Sequence, residues 1–342
     1  MSSRKRKNTL IVGGIILDLF ICIALIVLYG PWSGFRTFWI TTAMSTMNHQ
    51  YLAYWFYSNE TIQEVLENNY IIESNNATDI SLIKKIAYNK NGIYEDKYEE
   101  QILNKDKGNN SYKVINVKGS GYKGYLIAVY DPSKVELVMT RYLKTKGENI
   151  LNLAKNNDAR VAINASGFVD PNEVGNGGMP TGSVIKDNKL IFSSPAPGRS
   201  GGVIGFDKND NLILSKENIS KARTKYKLRD AVEFGPFLIV NGKASFIKGD
   251  GGWGVAPRTV IGQRRDGIVL FLIIDGRKPG YSNGATMSQL TEIMMNYKAV
   301  NASNLDGGAS TALVVENEVR NKPAGIGGNG LRRLPNAWIV TN

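Results

Sequence analysis

The stretch Ile268-Val-Leu-Phe-Leu-Ile-Ile-Asp-Gly-Arg277 places seven apolar residues directly before an Asp-Gly turn dipeptide. An apolar run of this length, rich in branched side chains and ended by a turn signal, predicts a strand that ends directly before Asp275. Two further apolar segments end in polar loops, residues 160–163 before Asn164 and residues 299–305 before Asp306. Ligands often gather beyond the carboxyl ends of strands, so these three loops are the first candidates for a functional site.

The last two-thirds of the chain consists of short apolar segments separated by turn signals, which predicts many short strands. Three dipeptides typical of tight hairpin turns lie between them: Asp187-Asn188, Asn241-Gly242 and Asp266-Gly267. A helix is predicted for residues 286–297, where Thr286 and Gln289 have capping-box spacing. Residues 111–342 are therefore predicted to form an α+β domain, with a mixed, largely antiparallel β-sheet and a few helices.

Residues 10–29 form a nearly continuous apolar run of 20, about the length needed to cross a bilayer core. The preceding tail, residues 1–9, is basic, and Trp32 and Trp39 follow at the depth of a membrane interface. By the positive-inside rule, this pattern predicts a single-pass transmembrane anchor with a cytoplasmic tail and an extracellular C-terminal domain in the cell membrane. A cleaved signal peptide is the alternative.

Residues 30–110 connect this run to the predicted domain. The first part is rich in methionine and aromatic residues, and residues 75–110 are polar with few large apolar clusters. This composition predicts a juxtamembrane segment followed by a stalk.

The composition of the 342-residue chain restricts its chemistry. One cysteine, Cys22, excludes an intrachain disulfide framework, and one histidine, His49, excludes a Ser-His-Asp triad or a histidine metal site in the C-terminal part. Carboxylates, arginines, amides and backbone donors must carry any catalysis. The net charge of +12 favours an anionic partner. The chain has no zinc-finger spacing and no long Lys/Arg run, which argues against nucleic acid as that partner.

The loops at the strand ends carry the candidate site residues. Asp275 is either a turn former or an acid on a rigid rim, and Arg277 two residues later can hold a phosphate through two hydrogen bonds. Asp306 precedes two glycines, which allow a ligand to approach the backbone or simply form a bend. Arg258 follows a glycine-rich loop, where it is placed to hold an anion.

Six ordered motifs together resemble the phosphodiester glycosidase family. They are residues 164–168 (NASGF), 181–185 (TGSVI), 234–242 (FGPFLIVNG), 257–262 (PRTVIG), 274–277 (IDGR) and 304–311 (NLDGGAST). Their order and spacing match the family over residues 112–342. Two small departures, Ala165-Ser166 and Ala309, bear on substrate fit more than on fold.

The resemblance implies cleavage of a sugar-1-phosphodiester, with release of the sugar and a phosphomonoester. It implies Asp275 and Asp306 as the catalytic carboxylates. The substrate-binding residues that it implies are Asn164, Arg258, Arg277, Gly307, Gly308, Ser310, Thr311 and Arg333. No cofactor and no metal ligand are expected, although a divalent cation is left open.

An outward-facing enzyme of this kind is expected to act on an anionic, phosphate-linked glycan of a cell wall or exopolysaccharide. Two alternatives remain at this point. The chain is a non-catalytic protein that binds or assembles wall glycans, or it is a metal-dependent phosphodiesterase that cuts the other P–O bond.

Overall fold

The computed structural model describes residues 2–46, 49–84, 92–169, 175–194, 201–325 and 329–342, with side chains from residue 8 onward. Within these ranges the α-helices are α1 (Ser2–Tyr29), α2 (Ser33–Met44), α3 (Tyr51–Tyr54), α4 (Asn59–Glu67), α5 (Lys97–Leu103), α6 (Ile150–Lys155), α7 (Ile219–Tyr226) and α8 (Met287–Asn296). The strands are β1 (Tyr70–Ile72), β2 (Tyr112–Gly119), β3 (Tyr122–Val129), β4 (Val135–Met139), β5 (Glu148–Asn149), β6 (Val161–Asn164), β7 (Phe168–Val169), β8 (Met179–Pro180), β9 (Val184–Lys186), β10 (Lys189–Phe192), β11 (Gly202–Asp207), β12 (Leu212–Ser215), β13 (Leu228–Phe234), β14 (Phe237–Val240), β15 (Lys243–Ala244), β16 (Phe246–Lys248), β17 (Arg258–Arg264), β18 (Val269–Ile274), β19 (Ala299–Asn304), β20 (Leu313–Val315), β21 (Glu318–Val319), β22 (Arg333–Leu334) and β23 (Asn336–Val340).

Three sheets surround one central core. The largest has the order β15-β14-β19-β17-β18-β3-β2, and two five-stranded sheets have the orders β21-β20-β6-β23-β4 and β10-β9-β13-β11-β12. Phe271, Trp338 and Phe206, one from each sheet, meet in this core. The predicted α+β class and its largely antiparallel sheets are confirmed.

The second face of each sheet is also covered. Ile127 and Val129 of β3 belong to the central core, whereas Leu126 and Ala128 of the same strand pack in the layer that contains α8. Helices α6 and α7 cover the outer faces of the two smaller sheets. Because both faces are buried, strands such as β18 read as continuous apolar runs rather than alternating ones.

The local predictions for turns and for the long helix are confirmed. Asp187 and Asn188 both have positive φ, 51° and 59°, as the turn between β9 and β10 requires. The side chain of Thr286 accepts a hydrogen bond from the backbone N–H of Gln289, and the side chain of Gln289 accepts one from that of Thr286, which completes the capping box of α8.

Strand direction brings the ends of β18 and β19 together. Both strands are antiparallel to β17, which lies between them, so they run in the same direction. Their carboxyl ends therefore meet at one edge, beside the first residue of β17, Arg258. Asp275 and Asp306 follow these two ends, and Asn164 at the end of β6 reaches across from the neighbouring sheet to the backbone oxygen of Asp306 (2.6 Å).

The described part of residues 30–110 packs on the domain rather than forming a stalk. Strand β1 pairs with β16, and the Glu73 carboxylate accepts hydrogen bonds from the backbone N–H groups of Gly201 (3.0 Å) and Phe237 (2.7 Å). Thr78 exchanges hydrogen bonds with the backbone of Leu214. The polar composition of residues 75–110 predicted a stalk, but the side chain of Thr78 in that range satisfies a backbone group of the domain instead.

Helix α1 contains an apolar stretch, Asn8–Tyr29, that is long enough to cross a membrane and is not buried against the protein. Length and composition of this kind fit either an anchor or a signal sequence. The hydroxyl of Tyr57 donates to the backbone oxygen of Leu28 (3.0 Å), so the end of α1 is in contact with the segment that follows α2.

Candidate active site

Asp306 lies where the loops after β6 and β19 meet. Its backbone N–H donates to the oxygen of Ala165 (3.1 Å), which fixes the loop after β19 against the loop after β6. Burial raises the pKa of the Asp306 carboxyl to about 6, while a hydrogen bond from Ser310 and the charge of Arg332 oppose that rise. A carboxyl group titrating near neutrality is suited to acid–base or electrostatic catalysis.

Arg258 is buried beside this loop. Its Nη2 donates to the backbone oxygens of Trp253 and Gly254 (2.9 Å to the latter), and its Nε donates to that of Ala285 (3.2 Å). Burial and the nearby charge of Arg277 together lower the pKa of Arg258 to about 10. Its described partners are carbonyl oxygens, so its positive charge is available to an anionic ligand.

Arg277 packs against the backbone of the loop that contains Asp306. Gly308 has φ +61°, and its N–H donates to the oxygen of Pro257 (2.8 Å). A side chain at Gly308 would place its Cβ 3.3 Å from Nη2 of Arg277. The glycine therefore supplies both the left-handed backbone and the space that the guanidinium needs. Burial and the charge of Arg332 lower the pKa of Arg277.

Arg332, the residue before the predicted Arg333, lies beside Asp306, and a substrate contact by Arg333 stays a prediction. The guanidinium of Arg332 lies over the ring of Phe168 (4.6 Å to the centroid), close enough to Asp306 and Arg277 to affect the pKa of both. Arg333 is exposed in β22, where it pairs with Asn149 of β5. Two consecutive arginines in an extended segment point to opposite sides, and the sequence does not say which one turns toward the aspartate.

Asp275 is at the same edge but its carboxylate is engaged by the protein. Oδ1 accepts hydrogen bonds from Nδ2 of Asn321 (3.0 Å) and the backbone N–H of Lys322 (2.9 Å), and Oδ2 accepts one from the Tyr281 hydroxyl (3.0 Å). Asp275 as a whole is 1% exposed to solvent. The carboxylate thus joins the loop after β18 to the segment after β21, and its predicted catalytic role stays a prediction.

The remaining predicted polar residues have different surroundings. Oδ1 of Asn164 accepts hydrogen bonds from Thr259 Oγ1 (2.7 Å) and the backbone N–H of Ala312 (3.2 Å), so this buried amide holds three segments together. Thr311 is also buried, and its hydroxyl has no partner within the described residues. Direct substrate contacts by Asn164, Ser310 and Thr311 stay predictions.

The loop that holds Arg258 is braced from outside the sheets. Thr41 of α2 donates its hydroxyl to Oδ2 of Asp250, and the backbone N–H of Asp250 donates to Oδ1 of Asn69 (3.0 Å). Asp250 in turn raises the pKa of Arg258 against the larger effect of burial. Helix α2 therefore contributes to the position of an arginine in the site.

Fold and site together define a class of protein. Arg332 lies close enough to Asp306 to oppose the rise in its pKa, Arg332 also affects Arg277, and Arg277 affects Arg258. One aspartate of raised pKa and three neighbouring arginines therefore occupy the edge where the strand ends meet. This arrangement is typical of sites that bind a phosphorylated substrate next to a catalytic carboxylate. Across the ranges that the structure covers, His, Cys, Asp and Glu side chains form no group of three or more that could hold a metal ion.

The chain belongs to the phosphodiester glycosidase family, whose model matches residues 157–341. It is 30% identical over 184 residues to the SPbeta prophage-derived uncharacterized protein YomE of Bacillus subtilis (strain 168), a match that covers 52% of this chain. It is 23% identical over 159 residues to N-acetylglucosamine-1-phosphodiester alpha-N-acetylglucosaminidase of Bos taurus, covering 46% of this chain. Each match covers 27% of the relative's own length.

The fold is also found in a solved structure. The zebrafish N-acetylglucosamine-1-phosphodiester alpha-N-acetylglucosaminidase catalytic domain, auto-inhibited by its pro-peptide, aligns with a TM-score of 0.56 and 18% identity. The alignment covers 69% of this chain and 85% of that domain. The resemblance seen in the six sequence motifs is therefore confirmed for family and fold.

Proposed function

We propose that this chain hydrolyses a sugar-1-phosphodiester between the anomeric carbon of the sugar and the phosphate oxygen. The observation that carries the proposal is the succession of neighbouring charges that runs from Asp306 through Arg332 and Arg277 to Arg258. Family membership supports the same reaction class, because the family and its structural neighbour are hydrolases of phosphodiester glycosides.

The leaving group explains why no histidine is needed. A phosphate monoester is a weak base, with a second pKa of about 6, so it departs without a strong general acid. When the bond between the anomeric carbon and oxygen breaks, its electron pair stays on the phosphate oxygen. We assign Arg258 and Arg277 to the phosphate, where their charges stabilise the negative charge that develops on it.

Asp306 is assigned to the sugar side of the bond. As the phosphate departs, positive charge develops on the ring, and an ionised carboxylate nearby stabilises that charge or removes a proton from the attacking water. The water adds to the anomeric carbon, and its oxygen remains on the released sugar. One of its protons stays on the new anomeric hydroxyl, and the other goes to the carboxylate, the phosphate or solvent. Burial raises the pKa of Asp306, and the charge of Arg332 opposes this rise. Arg332 therefore increases the fraction of Asp306 that is ionised near neutral pH.

The N-terminal helix suggests where the reaction takes place. We propose that α1 is retained as a single-pass anchor in the cell membrane, with the domain on the extracellular side, as the basic tail before the apolar run favours. The substrates on that side would be phosphate-linked glycans of a cell wall or exopolysaccharide. The net charge of +12 agrees with such a polyanionic substrate.

The test is an assay of the full chain, purified in detergent, for release of free sugar from a synthetic N-acetylhexosamine-1-phosphodiester and from a matched hexose-1-phosphodiester. Assays with and without a chelator establish whether a divalent cation takes part. Release of sugar from either diester supports the proposal. Tight binding of both diesters without turnover in any condition would instead identify a glycan-binding protein.

The activity is expected to fall on the acid side of pH 6. Asp306 acts in its ionised form in this account, and its pKa is raised to about 6, so protonation removes the active form as the pH is lowered through that value. The measurement is kcat/KM from pH 4.5 to 8. A rate that instead increases as the pH falls below 6 would show that the protonated carboxyl is the active form.

Thr41→Val is expected to raise the KM about three- to tenfold, because it removes the hydrogen bond to Asp250. A hydrogen bond to a charged group contributes about 1.5–3 kcal/mol, and only part of this free energy bears on the position of Arg258. The kcat is expected to change less, because Asp306 is not part of this contact. Thr41→Ser keeps the hydroxyl and should restore the wild-type KM. Equal losses in Thr41→Val and Thr41→Ser would contradict the role given to the hydroxyl.

A further inference from the structure

A second opening lies on the side of β22 where Arg333 is exposed. It has a volume of about 260 Å³ and is lined by Arg141, Tyr142, Lys146, Asn149, Asn152 and Arg333, together with the backbone of Gly147 and the side chain of Glu148. Three cations and two amides thus face one space. Arg333 was predicted from sequence to bind substrate. The other residues assigned to the phosphodiester reaction do not line this opening.

The wall of the opening is fixed by backbone contacts among three segments. The N–H of Gly147 donates to the oxygen of Asn176 (2.7 Å), and the N–H of Lys144 donates to that of Gly178 (2.8 Å). Gly177 has φ +66°, and a Cβ there would lie 2.2 Å from the backbone oxygen of Arg333. The segments can approach this closely only with glycine at that position.

The charge inside the opening is not neutralised by its one acid. Glu148 is buried, and its two oxygens accept hydrogen bonds from the backbone N–H of Arg141 (2.9 Å), from Nη2 of Arg141 (3.2 Å) and from Nδ2 of Asn156 (3.1 Å). Among the residues with described side chains, Lys146 and Arg333 form no ion pair. The opening therefore keeps a net positive charge that a phosphate can balance.

An aromatic ring stands beside these charges. Tyr142 is 44% exposed, and its ring centroid lies 4.9 Å from Nζ of Lys146 and 5.9 Å from the guanidinium carbon of Arg141. An exposed ring next to amides and cations offers an apolar face for a sugar and polar groups for its hydroxyls. The chemistry of the opening is thus that of a sugar phosphate rather than of a simple anion.

The position of the opening relates it to Asp306. Arg332 faces Asp306 and Arg333 lines the opening, so the two sites flank one extended segment on opposite sides. A glycan of several phosphate repeats is long enough to pass this segment, with one phosphate at the arginine cluster and another sugar phosphate in the opening. A substrate with a single phosphate can occupy only one of the two.

We propose that this opening is a second sugar-phosphate subsite, which makes oligomeric phosphate-linked glycans better substrates than single diesters. The inference rests on the proposed function, since it names the substrate class of the same active site. It predicts a lower KM for an oligomer of several sugar-1-phosphate repeats than for a single diester of the same sugar.

The experiment compares the full chain with Lys146→Gln and Arg141→Gln on both substrates. Each change is expected to raise the KM for the oligomer about two- to fivefold relative to the KM for the single diester, the contribution of one exposed charge. Lys155→Gln is the matched control, because Lys155 is an exposed lysine of the neighbouring helix α6 that does not line the opening. Its ratio of the two KM values should equal that of the wild type.

The outcomes separate the subsite from the reaction. If the wild type cleaves the single diester but Lys146→Gln and Lys155→Gln have the same ratio, the subsite is refuted and the reaction stands. If the wild type cleaves neither substrate, the proposed reaction fails, and calorimetric binding of the same sugar-1-phosphate oligomer to the same variants tests the subsite alone. Weaker binding by Lys146→Gln than by Lys155→Gln would support it, and equal binding would overturn it.

Discussion

Asp306→Asn is expected to lower kcat on a sugar-1-phosphodiester by about a thousandfold or more, the usual order for loss of a group that stabilises transition-state charge. Asparagine has nearly the same shape, so the contacts of the backbone with Ala165 and Asn164 remain. It does not carry the negative charge that the ring requires as the phosphate departs. The KM is expected to change little, since the arginines that hold the phosphate are untouched.

The same substitution is expected to stabilise the fold at neutral pH. The pKa of Asp306 is about 6 in the folded protein against an ordinary 3.8, so the folded state binds this proton more tightly than the unfolded chain does. The stability linked to the protonated form is present below about pH 4 and is lost as the pH rises through 6. Asparagine is neutral at every pH, so the variant does not lose this stability as the pH rises. The difference in the free energy of unfolding is about 1–2 kcal/mol, because Asp306 is partly exposed to solvent.

Thermal and urea unfolding at pH 5 and pH 8 check this expectation alongside the kinetic assay. Asp158→Asn serves as the control, because Asp158 is exposed and has φ 48°, a conformation that asparagine also accepts. A variant at Asp306 that is inactive and clearly less stable than the wild type at pH 8 would mean that the aspartate supports the fold rather than the reaction.

Asp275→Ala is expected to reduce the free energy of unfolding by about 3–5 kcal/mol. The substitution removes the acceptor of three hydrogen bonds and leaves the buried Nδ2 of Asn321 and the backbone N–H of Lys322 with fewer partners. Asp275→Asn retains one acceptor oxygen for these donors and should lose less than half as much.

Urea unfolding of the full chain measures both variants, and the kinetic assay then separates structure from catalysis. If the carboxylate mainly joins the two loops, Asp275→Asn should keep a kcat within about tenfold of the wild type. A thousandfold loss in a stable, folded Asp275→Asn variant would contradict that reading and restore Asp275 as a catalytic carboxylate.

The sequence predicted the strand ends well because their signals are local. An apolar run followed by Asp-Gly, as at Asp275, indicates a strand and its end without any knowledge of its neighbours. The hairpin dipeptides and the capping box of Thr286 are local in the same sense. What the run does not show is that β18 and β19 point the same way, which is a consequence of their shared pairing with β17.

The features that the sequence does not show depend on contacts between distant parts of the chain. Arg332 rather than Arg333 faces Asp306 because its guanidinium stacks on Phe168, a residue more than a hundred positions earlier. Thr78 lies in the range predicted to be a stalk, residues 75–110, because nothing in its own segment indicates that the backbone of Leu214 is its partner. Likewise, the two aspartates look alike in sequence, and only the donors around Asp275 set them apart.

Hydrolysis of a sugar-1-phosphodiester in isotopically labelled water tests the central claim most directly. Water attacks the anomeric carbon in this account, so mass spectrometry should find the heavy oxygen in the released sugar and none in the phosphomonoester. Label in the phosphomonoester would show that water attacks phosphorus, and it would contradict the assignment of Asp306 to the sugar and of Arg258 and Arg277 to a departing phosphate.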